Sequence, residues 1–166
     1  MTPIEREAQV HEHPLDAVER CAAANFWQFE RNNDDEVSID ISGRWSRYEV
    51  ALTWLDEPQA VHVGCAFDFK VAPRRRAQVA ELIRLVNARL WIGHFDLWED
   101  EGVVMYRNSL LLPGAASPTA EVVNAAVEAA VSACERHYQA FQFVTWSGKG
   151  AREALDQALF ETMGEA

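Results

Sequence analysis

The sequence predicts an α+β domain in which helices pack against an antiparallel β-sheet. Residues 36–70 alternate apolar and polar side chains, which is the period of strands that have one covered face. Residues 74–90 and 118–146 instead repeat apolar side chains every three or four positions, as amphipathic helices do. With a short first helix, a hairpin between the two helical stretches and a last helix, the predicted order is α-β-β-β-α-β-β-α plus a C-terminal helix.

The length and composition favour one globular domain. A chain of 166 residues, 49% of them hydrophobic, is long enough to bury a core without disulfides or metals. We predict a flexible leader at residues 1–13, which has many charges and no period, and a single domain at residues 14–166. The leader has no apolar run typical of signal peptides or membrane spans, so we expect a cytoplasmic protein that does not contact a membrane.

The charge and the cysteines exclude several classes of protein. The net charge of −11 repels phosphate backbones, so no nucleic-acid partner is expected. Cys21, Cys65 and Cys134 are far apart and form no C-x-x-C pair, which argues against a disulfide framework or a zinc knuckle. We interpret them as reduced, buried thiols.

The first half of the chain predicts a helix followed by strands. Pro14 suits a helix start, and the helix is predicted to end near Asn25. After the short aromatic run "NFWQFERN", three runs alternate: "EVSIDIS", "WSRYEVALTWL" and "VHVGCAFDFK". In the second of these, one face is predicted to be buried, and it consists of Tyr48, Val50, Leu52 and Trp54.

The second half predicts a helix at residues 74–90, a hairpin and two further helices. If Glu101 and Gly102 form a two-residue turn, Asp96 lies directly opposite Arg107. From an N-cap at Ser117, the next helix spans about 29 residues, or about 43 Å. A domain of this size is about 40 Å across, so this helix should either bend or offer a surface to a partner. The last helix is predicted to have an apolar stripe made of Leu155, Leu159 and Met163.

One motif joins the middle helix to the hairpin. It reads Asn87-x-x-Leu90-x-x-Gly93-x-Phe95, followed by Gly102-x-Val104-x-x-Arg107, and "HYQAFQFVTWSGKGAREAL" follows later in the chain. With the order of elements, these residues make the chain resemble the YbjN family of bacterial proteins, whose fold is that of type III secretion chaperones. The resemblance covers residues 14–160.

The resemblance carries expectations about function. It implies a non-enzymatic α+β protein of a family labelled as sensory-transduction or stress regulators, which offers no catalytic residues to carry over. Chaperones of the related fold hold extended partner segments on their sheet and helix surfaces and often dimerise. The resemblance therefore implies a protein partner and a homodimer.

The stretch "WIGHFDLWEDEG", residues 91–102, combines one histidine with several carboxylates. It lacks the Asp-x-Asp alternation of calcium loops and the His and Cys spacing of zinc sites, so a hairpin with a solvated turn is the better interpretation. His11 and His13 lack a third ligand and are interpreted as solvated. No catalytic or phosphate-binding motif is present, so we expect no catalytic residues, no cofactor and no metal.

Seven residues are candidates for partner binding. Trp45 and Arg47 are predicted on the more polar face of their strand, where an aromatic among charges suits protein recognition. His94 and Asp96 are predicted on the less covered sheet face of the hairpin. The other candidates form a run in the first turn of a helix, where cations oppose the macrodipole and need carboxylates or an acidic partner: Arg74, Arg75 and Arg76. The tryptophans expected to pack in the core or hairpin are Trp27, Trp54, Trp91 and Trp98.

Two functions fit these observations. The favoured hypothesis is a non-catalytic protein-binding module, regulator- or chaperone-like, that contacts an unidentified partner through the open side of the sheet and the long helix. The alternative is a small-molecule-binding domain or enzyme with a pocket between sheet and helices, in which His94 and Asp96 transfer protons. An arginine beside Asp96 favours its ionised form and speaks against that role.

Overall fold

The computed structural model describes residues 12–163. It contains four α-helices and six strands: α1 (Pro14–Ala24), β1 (Gln28–Asn33), β2 (Glu36–Ser42), β3 (Arg47–Leu55), β4 (Ala60–Lys70), α2 (Arg76–Asn87), β5 (His94–Trp98), β6 (Val103–Leu111), α3 (Ala120–Thr145) and α4 (Ala151–Met163). Two short 3₁₀ turns, Pro73–Arg75 and Pro113–Ala115, precede α2 and α3. The predicted leader lies outside the described residues except for its last two, and there His13 caps α1 by accepting the Leu15 N–H.

The strands form one six-stranded antiparallel sheet in the order β1-β2-β3-β4-β6-β5. The predicted α+β class and the positions of the helices between the strands are confirmed. The aromatic run "NFWQFERN" supplies β1, so four strands precede α2 where the predicted order had three. This extra strand is exposed along its length, so its residues show no apolar period.

The two faces of the sheet differ sharply in burial. On β3, Tyr48, Val50, Leu52 and Trp54 are buried, as the alternation predicted, and they lie under the helices. The side chains between them are exposed or half-buried. We call the helix-packed side the covered face and the other side, which no helix covers within residues 12–163, the open face.

The β5–β6 hairpin has a different register from the predicted one. Its loop, residues 99–102, is four residues long rather than two, so Asp96 pairs with Met105 and His94 pairs with Arg107. Two added loop residues shift the register by two positions, which preserves the side of the sheet on which each side chain lies. Asp96 therefore still reaches Arg107, now diagonally, at 3.2 Å between Oδ2 and Nη1.

The long helix α3 is continuous over 26 residues, or about 39 Å. Its N-cap is Thr119, whose hydroxyl accepts the Val122 N–H, rather than the predicted Ser117. It packs on the sheet with one side and against α4 with another, so α4 covers part of the surface that was predicted for a partner. On α4, Leu155 is buried but Met163 is exposed, because a four-residue spacing drifts around a helix of 3.6 residues per turn.

Candidate functional site

The predicted residues His94 and Asp96 lie on the open face of β5, at one end of the sheet. Antiparallel register places them in two neighbouring rows across three strands, one row being Gly64, Arg107 and His94 and the next being Ala66, Met105 and Asp96. The two predicted residues therefore share a surface with β4 and β6.

Arg107 connects β4, β5 and β6 on this surface. Its Nη1 lies 3.2 Å from Asp96 Oδ2, and its Nε donates to His62 Nε2 at 3.3 Å. Burial, followed by the positive charges of Arg107 and His94, lowers the pKa of His62. His62 is therefore neutral at pH 7 and accepts a hydrogen bond from the guanidinium.

A shallow depression of about 350 Å³ adjoins this network. Its lining consists of His62, Gly93, His94, Arg107, Asn108 and Ser109. The depression lies on the open face, whereas the small-molecule alternative required a pocket between sheet and helices. Asp96 is not part of its lining and is held by Arg107, so the geometry does not pair His94 with Asp96 for proton transfer.

Arg47 also lies on the open face, but in a different region. Its Nη2 contacts Gln28 Oε1 at 2.9 Å and Asp40 Oδ2 at 3.5 Å, across β2 and β1. Two strands separate β3 from β5, which places Arg47 at least about 14 Å from His94. The structure therefore does not bring Arg47 together with His94 and Asp96.

Trp45 lies in the turn before β3 and on the helix side of the sheet, contrary to the prediction that it shares a face with Arg47. Its backbone N–H donates to Glu135 Oε1 of α3 at 3.2 Å, and the guanidinium of Arg44 lies 4.8 Å from its ring centroid. The ring is 37% exposed and lines a depression between α3 and the end of α4. The turn lies outside the strand, so the alternation of β3 does not extend to it.

The three arginines of the basic run diverge. Arg74 is exposed, whereas the guanidinium of Arg75 packs against Gly148 in the α3–α4 loop. Arg76 Nε donates to the carbonyl oxygen of Val71 at 3.4 Å. None of the three forms an ion pair with another residue in the range 12–163, so the expected compensation by carboxylates is not seen there. Of the three, Arg74 is exposed, whereas Arg75 and Arg76 are half-buried.

The Asn87 motif has a structural explanation. The Asn87 side chain donates to the carbonyl oxygen of Phe95 at 3.0 Å and accepts the N–H of Phe95 at 2.8 Å. Gly93 has a φ of +69°, and a Cβ there would lie 2.2 Å from the Tyr106 hydroxyl oxygen. The motif therefore attaches the end of α2 to the edge strand β5 and allows the Tyr106 ring to pack closely.

Several exposed apolar side chains were missed as surface candidates. Trp91 and Trp98 were both predicted to pack in the core or hairpin. Trp91 is instead 96% exposed in the loop before Gly93, and Trp98 is 45% exposed on the open face. Leu111, also on the open face, is 72% exposed. Trp91 follows the last helical position and precedes the strand, so neither period assigns it a side. Leu111 was not recognised because it lies within the continuous apolar run "LLL".

The described part of the chain holds no group of three or more His, Cys, Asp and Glu side chains arranged to bind a metal ion. Between residues 12 and 163, none of the helices is both long and apolar enough to span a bilayer.

Comparison with known proteins identifies the family. The model of the YbjN family, described as "Putative bacterial sensory transduction regulator", matches residues 14–143 of the chain. The chain belongs to the YbjN family. The match includes the Asn87 motif and most of α3 and ends before α4. The family is described by regulation and not by an enzymatic activity.

A solved member of the family has the same fold. The crystal structure of YbjN, "a putative transcription regulator from E. coli", is similar with a TM-score of 0.53 and 14% sequence identity, over 75% of this chain and 90% of that one. At this identity the similarity shows the fold alone. Comparison with curated proteins finds no match to this chain.

Proposed function

We propose that this YbjN family member is a non-catalytic protein-binding module, regulator- or chaperone-like, that acts in the bacterial cytoplasm. The observation that carries the proposal is the open face of the sheet, which exposes apolar side chains beside charged ones. Trp98 and Leu111 are the largest of these side chains on β5 and β6, and Leu55 of β3 is 38% exposed on the same face. Exposed aromatic and aliphatic side chains beside an arginine are a composition that protein interfaces share.

The chemistry of this surface favours a polypeptide partner. Aromatic and arginine side chains such as Trp98 and Arg107 are enriched at the centres of protein interfaces. The net charge of −11 disfavours a nucleic-acid partner, because phosphate backbones are also negative. The family description as a regulator agrees with a role through binding.

The experiment is quantitative affinity capture from the native cytoplasm, followed by mass spectrometry. The bait is the full chain, either unchanged or with the pair of substitutions Trp98→Ser and Leu111→Ser on the open face. The matched control is Phe26→Ser, an aromatic that is 95% exposed in the turn between α1 and β1. We expect the unchanged chain and the control to capture the same polypeptides and the open-face variant to lose them. Equal capture by both variants would contradict the proposal.

We also propose that the protein is a homodimer. Phe160 and Met163 form an exposed apolar ridge on α4, which a second copy would cover. Light scattering of the purified chain should give twice its mass of 18.7 kDa. A strict monomer would contradict the dimer without affecting the capture experiment.

A further inference from the structure

We propose that the depression beside His94 is an oxyanion site, in which Arg107, His62 and His94 bind a carboxylate, sulfate or phosphate group. The inference rests on the proposed function in one respect, which is that the bound group belongs to an acidic side chain of the protein partner. A free inorganic anion offers the same chemistry, and the experiment below distinguishes the two sources.

The first support is the local charge. Acidic residues outnumber basic ones by 26 to 15 in this chain, yet the six residues that line the depression include one arginine, two histidines and no carboxylate. Four other depressions on the described surface each contain two or more carboxylates. This depression therefore lacks the carboxylates that line each of the other four.

The second support is the number of uncommitted donors. A guanidinium has five N–H groups, and Arg107 uses only its Nε towards His62 and its Nη1 towards Asp96. Within residues 12–163, no hydrogen bond is made by Arg107 Nη2, by the His94 ring or by the Ser109 hydroxyl. These groups face solvent from the same depression, and the guanidinium geometry suits an oxyanion.

The sheet register brings these donors together. His94 lies directly opposite Arg107 across β5 and β6, and Ser109 lies directly opposite His62 across β6 and β4. Side chains of such pairs are about 5 Å apart at Cβ. Gly64, opposite Arg107 on β4, leaves room for the His62 ring, since a Cβ there would lie 3.3 Å from His62 Cε1. A glycine inside a strand often marks a position where a ligand approaches closely.

The charged groups that face His62 predict a pH dependence. Arg107 and the partly competing Asp96 face it from β6 and β5, and on the other side Thr53 lies opposite His62 and donates to Glu36. A bound anion would favour the protonated form of His62, whose pKa is lowered by burial and by the charge of Arg107. Protonation of His62 would also release Arg107 Nε, because His62 Nε2 could no longer accept. The affinity for an oxyanion should therefore rise as pH falls from 8 to 6.

The experiment is an NMR titration of the full chain with two probes whose charge stays constant from pH 6 to 8. One probe is inorganic sulfate, and the other is a capped peptide of four glutamates, with a capped peptide of four glutamines as its neutral control. We expect saturable shifts of the His94, His62 and Arg107 resonances and an affinity about threefold higher at pH 6 than at pH 8. Saturation by the glutamate peptide alone supports a partner side chain, and saturation by sulfate alone supports a free anion. If neither probe saturates, the site is overturned.

Two variants that each remove one negative charge distinguish binding at the site from an effect of the protein's overall charge. Asp96→Asn removes the competing carboxylate and should tighten binding, whereas His94→Asn should weaken it, each by about threefold. Glu81→Gln is the matched control, since Glu81 is an exposed carboxylate paired with Arg84 on α2. Equal effects of Asp96→Asn and Glu81→Gln would overturn the site. If the site fails while the Trp98 and Leu111 variant still loses its partners, the protein-binding function stands without it.

Discussion

The covered and open faces of the same sheet are made of alternate residues of the same strands, yet they are built by different rules. The covered face is apolar and close-packed, with Tyr106 and Phe95 at most 1% exposed and Phe95 also in contact with Phe141 of α3. The open face combines exposed apolar side chains with the polar network of Arg107. Substitutions on the covered face should therefore change the free energy of unfolding, and substitutions on the open face should change binding.

The largest expected effect is at Gly93, in the loop before β5, where the Tyr106 ring of the covered face packs closely. Gly93→Ala combines a positive φ with a Cβ that would collide with the Tyr106 ring, so we expect a loss of about 3 kcal/mol in the free energy of unfolding. Gly114→Ala is the matched control, since Gly114 has a φ of +71° and open space around it, and should cost about 1 kcal/mol. Urea unfolding measures both values. Equal losses would show that the Tyr106 contact is not tight.

A similar effect is expected from pH, through the buried His137 of α3. Burial, followed by the charges of Arg136 and Arg89, lowers the pKa of His137 from 6.5 to about 4. His137 takes up a proton near pH 6.5 in the unfolded chain but not in the folded chain. Above that pH it therefore does not change the free energy of unfolding. As pH falls from 6.5 to 4, it should lower the free energy of unfolding by up to about 3 kcal/mol.

Urea unfolding between pH 7.5 and 4 tests this prediction against His137→Gln, which cannot titrate. The difference between the free energies of unfolding of wild type and His137→Gln should change as pH falls from 6.5 to 4. Trp91→Ser, a substitution of an exposed side chain that does not titrate, is the control and should leave the wild-type pH profile unchanged. Parallel profiles for wild type and His137→Gln would refute the assignment.

A smaller effect is expected at the junction of α2 and β5. Asn87→Ala removes both hydrogen bonds to the backbone of Phe95 and should cost about 2 kcal/mol. Hydrogen exchange of the Phe95 amide should accelerate more than that of Tyr106, which lies opposite it on β6. Asn32→Ala on the exposed strand β1 provides the comparison and should change stability by less than about 0.5 kcal/mol. Uniform acceleration of both amides would indicate global destabilisation instead.

The smallest effect on stability is expected on the open face. Because Leu111 is 72% exposed and Trp98 is 45% exposed, changing both to serine should lower the free energy of unfolding by about 1 kcal/mol. The same variant should lose its captured partners. A loss of several kcal/mol would instead show that these side chains belong to the core, and the two faces would not differ in the way described.

The sequence by itself determined the side of the residues of β2, β3 and β4 and the buried side of α2 and α3. Alternation assigned Tyr48, Val50, Leu52 and Trp54 to the covered face. The helical period of residues 118–146 predicted a buried side of α3, where Val123, Val127 and Phe141 lie in the core. The sequence also indicated the contact between Asp96 and Arg107, because a register shift of two residues leaves each side chain on the same side of the sheet. Such periods follow from backbone geometry and require no knowledge of distant residues.

Only the tertiary structure decided which side chains meet along and across the strands. The four-residue loop at 99–102 set the register that places His94 opposite Arg107, and the pairing of β4 with β6 brought His62 to the same guanidinium from 45 positions away. The exposure of Trp91 and the side on which Trp45 lies depend on loops that have no period. The physical reason is that a period determines on which side a residue lies, whereas register, strand order and loop path depend on contacts between residues far apart in the chain.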